Sequence, residues 1–173
     1  MKKYTVGYLC VLAGLALILG CEGSGVRKGQ GLPDEVTGVW KARGNPWKIE
    51  LSRSGTVKSA LVPLGNVEIR PNKTTKVEMA DGGTSIYKAG DCSVEYDPAG
   101  RQLRVVVRLD EVKIAFMDQR IEGHTEDAFL GTVSEDGSVW ETSWLSFFDL
   151  GERFPMDPNS VGEVLVFDKV KGQ

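Results

Sequence analysis

Histidine occurs once in this chain, at His124, and cysteine three times, at Cys10, Cys21 and Cys92. A zinc site draws several ligands from these two residue types. Cys10 and Cys21 lie within and at the end of an apolar leader, so His124 and Cys92 alone fall short of a site. A Gly-x-Ser-x-Gly nucleophile elbow is missing too, the nearest stretch being Gly23-Ser24-Gly25 in a polar segment. Flanked by Glu122, Glu126 and Asp127, His124 therefore reads as a solvated loop residue, not half of a proton relay. The acidic turn Glu135-Asp136-Gly137 lacks the ligand spacing of a calcium loop. No block of lysine and arginine with interleaved aromatics occurs, which excludes the usual nucleic-acid footprint. No catalytic, cofactor-binding or metal-ligating residue is assigned, and the chain reads as a non-enzyme. Paired carboxylates, which 24 acidic residues supply by chance, leave a small hydrolase as the enzymatic alternative.

What is there begins with the leader. Lys2 and Lys3 precede an apolar run from Val6 to Leu19, which ends on Ile18-Leu19-Gly20-Cys21. A basic start, an apolar middle and a small residue before the cleavage point mark a secretory signal peptide. At about 1.5 Å per residue, Val6 to Gly20 spans roughly 22 Å as a helix, short of a ~30 Å hydrocarbon core. The closing four residues resemble the lipobox of bacterial lipoproteins. That resemblance implies removal of residues 1–20 and acylation of Cys21, the new N-terminus. Two or three acyl chains anchor firmly, at about 0.8 kcal/mol per buried methylene. The expected partner is thus a lipid bilayer, on its extracytoplasmic side. Glu22 in place of aspartate favours the outer membrane where a cell has two.

After processing, 153 residues remain, with 19 basic against 24 acidic side chains and a formal charge of −5. Cys92 is then left without a disulfide partner, so packing must supply the stability. Residues 21–35 form the lipidated cysteine and a flexible tether, rich in glycine and serine with few aliphatics. Residues 36–173 form the domain. Apolar residues there recur every second position: Trp47, Ile49 and Leu51; Val67 and Ile69; Cys92, Val94 and Tyr96; Leu103 to Leu109. That period, with turn signals such as Asp97-Pro98-Ala99-Gly100, marks half-buried antiparallel strands. The expectation is an all-β fold, a single antiparallel β-barrel or β-sandwich of about 8–10 strands. Val112, Ile114 and Phe116 share a strand face, whereas a helix would scatter them. Leu145 to Asn159 reads as an irregular connection, and Val164-Leu165-Val166-Phe167 as a closing strand covered on both faces.

Three tryptophans carry the remaining signal. Gly38-Val39-Trp40 on the first strand resembles the Gly-x-Trp motif of lipocalins and other calycin barrels. The resemblance implies that Trp40 packs across the closed end of a barrel, beneath an arginine from late in the chain. Lys169 and Lys171 stand where that family has an arginine. Trp140 and Trp144 fall on one side of a strand, with Thr142 between them. With Trp40 they form a candidate ligand-facing aromatic surface, or else plain core. Four tryptophans and six phenylalanines are bulk enough to fill the interior. The expected function is that of a membrane-anchored, non-catalytic binding or structural module, meeting an envelope protein through its surface. A lipocalin-like carrier of a small apolar ligand is the alternative.

Overall fold

Alternating apolar and polar residues become eleven antiparallel strands, with no helix among the described residues. The computed structural model describes residues 31–78, 82–116, 119–150 and 162–171. The leader, Cys21, most of the tether and residues 151–161 lie outside them. The strands are β1 (Gly38–Ala42), β2 (Lys48–Leu51), β3 (Val57–Val62), β4 (Val67–Ile69), β5 (Thr74–Glu78) and β6 (Thr84–Ala89). They continue with β7 (Ser93–Asp97), β8 (Gln102–Phe116), β9 (Gln119–Val133), β10 (Val139–Asp149) and β11 (Glu163–Val170). The count slightly exceeds expectation because the hairpins are short at the edges.

One sheet holds them all, in the order β4-β3-β2-β1-β11-β10-β9-β8-β6-β5, with β7 beside the first half of β8. The first and last strands pair, Trp40 opposite Lys169, so the chain ends meet in mid-sheet. The sheet curls into a nearly closed barrel. The strand order ends at β4 and β5, edges that meet at a seam where the Thr75 hydroxyl donates to the Glu68 carbonyl over 3.4 Å. Both edges carry charge at Glu68, Arg70, Lys76 and Glu78, which disfavours pairing with another chain.

A bulge in β8 sets which side chains face inward. Leu103, Val105, Val107 and Leu109 point into the barrel, the register then shifts at Asp110-Glu111, and Val112 continues the inward row. The extra residue bends the strand and changes its parity. Gly90 sits opposite, its backbone N–H bonded to the Arg108 carbonyl, and a Cβ there would overlap the Asp110 carboxylate.

The packed end of the barrel lies where β1 begins. Trp40, Trp140, Phe129 and Phe167 are fully buried there. Trp140 meets Trp40 edge-on at 6.1 Å and Phe167 at 4.9 Å between ring centroids. Leu32 and Val36 cover this end, Leu32 through a backbone bond to Arg53 of 2.8 Å. Residues 32–35, grouped by composition with the tether, thus pack onto the domain. Gly38 has φ of 113°, a region that favours glycine, and the Lys169 chain passes over it. The Lys169 ammonium lies 5.9 Å from the Trp40 ring centre and donates to the Asp34 carbonyl at 2.6 Å. Lys169 of β11 thus lies over Trp40, where the resemblance implies an arginine.

Three expectations are corrected. Leu145 to Asp149 are not irregular: they continue β10, paired with β9 as far as Asp149 opposite His124. His124 is accordingly an exposed strand residue, not a loop residue. The apolar run of β11 is not covered on both faces, since Val164 is 66% exposed; only the inward Leu165 and Phe167 are buried. Cys92 is half-buried beside β7, and burial pushes its thiol pKa up.

Candidate functional site: the barrel mouth

The strands β9 and β10 run past the aromatic core to the opposite end of the barrel. From Phe129 of the packed core outward, their paired inward positions are Phe129 with Trp144, Asp127 with Ser146, and Thr125 with Phe148. Across the opening stand Trp47, from the turn that starts β2, and Val62, Pro63 and Leu64 at the end of β3. These residues, with Ile121 and Leu150, enclose an open pocket of about 470 Å³. That size falls within the range of small-molecule sites.

Aromatic packing builds the floor. Trp47 meets Phe129 edge-on at 5.0 Å and Trp144 at 6.3 Å, while Phe129 and Trp144 lie parallel at 6.4 Å. Asn45 fixes the approach to β2, its side-chain carbonyl accepting the Trp47 backbone N–H at 3.1 Å. The walls are aliphatic or aromatic except along one line of β9 and β10, where Thr125, Asp127 and Ser146 face in.

Asp127 is the one carboxylate among the buried described residues, only 5% exposed. Its Oδ1 accepts the Trp144 indole N–H at 2.9 Å, and the Ser146 hydroxyl also donates to it. Burial raises its pKa, partly offset by those two donors, and the neighbouring Glu126 raises it further. Among the described residues no basic group offsets this. The nearby cation Arg108 lies on the outer face, paired with Glu126 at 2.6 Å. Thr125, 6% exposed, also lines the pocket, and its hydroxyl has no hydrogen-bond partner. The indole nitrogens of Trp47 and Trp140 are likewise buried without partners.

The three tryptophans singled out by sequence divide between the two ends. Trp40 and Trp140 belong to the packed core; Trp144 is half-buried and joins that core to the mouth. They do not form one surface. The interior is neither wholly solid, as their bulk suggests, nor an open tube. Asp127, Thr125 and Ser146 were not singled out by the sequence, where Asp127 figured only as a neighbour of His124. Their signal is parity: counting back from the inward Phe129, Asp127 and Thr125 hold positions where alternation calls for apolar residues. A larger groove, about 560 Å³, runs over the outer side of β8, β9 and β10 and includes His124, Arg108 and Glu126. Within it Arg108 and Glu126 pair with one another. No family model matches the chain, and no curated protein or solved structure matches it significantly.

Proposed function

We propose that the protein is a lipid-anchored, non-catalytic binding module of the bacterial cell envelope, taking a small apolar ligand in its barrel mouth. The observation that carries this reading is the pocket: about 470 Å³, mostly apolar, with a few polar groups converging on one side. The anchor rests on the lipobox-like Ile18-Leu19-Gly20-Cys21, which lies outside the described residues. A two-carboxylate hydrolase needs a second inward carboxylate within about 5–9.5 Å. Among the buried described residues Asp127 has no such companion, which favours binding over hydrolysis.

Apolar side chains on the outer face support a second reading, contact with an envelope protein. Leu130, Leu145, Phe147 and Val164 are each at least 43% exposed. Leu130 and Val164 stand on either side of Ser143, on the two strands that flank β10.

A fluorescence titration separates the two. Trp47 and Trp144 line the mouth, so an occupant should alter tryptophan emission in a saturable way with a stoichiometry of one. Replacing Trp144 with phenylalanine should remove much of that response. If neutral apolar dyes give only a linear, non-saturating change, the mouth is not a binding site and the outer face becomes the better reading.

A further inference from the structure

The mouth holds an electrostatic imbalance. Taking a carboxylate out of water costs several kcal/mol unless a counter-charge or enough donors replace the lost hydration. Asp127 has two donors, the Trp144 indole and the Ser146 hydroxyl, and the charge bearing on it is the like-signed Glu126. An ionised carboxylate has about four acceptor directions, so two remain for an occupant of the pocket. Two residues away on the same face of the same strand, the Thr125 hydroxyl is buried and unpartnered, with lone pairs free. Around these acceptors stand the aromatic side chains of Trp47, Trp144 and Phe148.

We propose that the barrel mouth is a site for a small apolar amine, with its ammonium held by the Asp127 carboxylate and the Thr125 hydroxyl. This deepens the carrier reading and rests on it. An ammonium brings three donors and one positive charge, so it neutralises Asp127 and satisfies Thr125 together. Its carbon skeleton lies against Trp47, Leu64, Phe148 and Leu150. A fatty acid of the same length would set a second carboxylate beside the first, and like charges at close range disfavour binding. A neutral alcohol could donate to Asp127 but would leave its charge uncompensated. The expected order is therefore amine, then alcohol, then carboxylate.

Three probes of equal chain length test this: octylamine, 1-octanol and octanoate. Each is titrated calorimetrically into the full chain in phosphatidylcholine nanodiscs, with empty nanodiscs as the blank. Octylamine should bind saturably, one per chain, and at least about tenfold more tightly than 1-octanol, with octanoate weakest. Asp127→Asn should erase the preference for the amine over 1-octanol, and Thr125→Val should reduce that preference. The selectivity of the unaltered protein decides the matter even where a variant folds poorly. Equal or tighter binding of 1-octanol or octanoate overturns the amine assignment and leaves the carrier reading standing. So does an unchanged amine preference in folded Asp127→Asn. Absence of saturable binding by all three overturns the carrier reading, and the amine assignment with it.

Discussion

Replacing Trp140 by alanine and by phenylalanine tests whether the packed end of the barrel holds the domain together. Trp140 is fully buried among Trp40, Phe129 and Phe167, with ring centroids 6.1, 6.2 and 4.9 Å away. Truncation to alanine removes roughly 170 Å² of apolar burial, about 4 kcal/mol at 25 cal/mol per Å². The cavity left behind adds to the loss, since the surrounding side chains relax only in part. One effect opposes this. The Trp140 indole nitrogen is buried without a partner, and deleting such a donor removes a penalty of about 1–3 kcal/mol. The net loss for Trp140→Ala should be about 3 kcal/mol. Trp140→Phe keeps most ring contacts and also deletes the orphaned N–H, so it should stay within about 1.5 kcal/mol of the parent. Urea unfolding followed by far-ultraviolet circular dichroism reads both. With a slope of about 2 kcal/mol per molar, the alanine variant should unfold about 1.5 M earlier, at unchanged slope. Equal losses in the two variants would show that the indole nitrogen contributes favourably and that the opposing term is misassigned. A loss below about 1 kcal/mol for alanine would refute the packed core itself.

Two further outcomes follow from the β9–β10 pair. Gly131 lies opposite Thr142, and a Cβ there would overlap the Glu141 carbonyl and lie 2.5 Å from the Thr142 α-carbon, so Gly131→Ala should cost at least about 2 kcal/mol. Hydrogen exchange should show the loss as faster exchange along β10, and unchanged protection would sink the argument. In the turn joining the two strands, the Ser134 and Ser138 hydroxyls and the Ser138 amide hold the Asp136 carboxyl at about 2, below its usual 3.8. Its folded pKa is depressed, so its stabilisation is present above pH 3.8 and lost as pH falls through about 2. Urea midpoints between pH 2 and 6 should fall less steeply on acidification in Asp136→Ala than in the parent; parallel curves would contradict this.

The barrel was legible in the sequence because burial on one side of a strand leaves a local mark. Trp47, Ile49 and Leu51 alternate with polar residues, and all three are buried. Long-range relations leave no such mark. The pairing of β1 with β11, which carries Lys169 over Trp40, depends on the total twist of the sheet and not on any one stretch. A solid interior was expected because the four tryptophans were summed as bulk. Their placement decides otherwise: Trp40 and Trp140 lie at one end, while Trp47 and Trp144 form the floor of an opening at the other.

The mouth escapes a reading of the sequence for a physical reason. Along β10 beyond Trp144 the usual alternation is inverted, with Leu145 and Phe147 exposed and Ser146 turned inward. A pattern reader expecting apolar residues inside takes that inversion for irregular chain, although the backbone pairing with β9 continues through Asp149. Polar residues also take inward positions on β9, at Thr125 and Asp127. These departures share one place, since Asp127 pairs with Ser146 and Thr125 with Phe148. Sequences tend to break local rules where function requires it, with compensation elsewhere. Here the compensation is the aromatic packing below, where Phe129 and Trp144 lie one step further into the barrel and Trp47 closes against both. Polar groups set inward on two adjoining strands, above an apolar floor, are what the proposed ligand site requires and what a merely stable core does not.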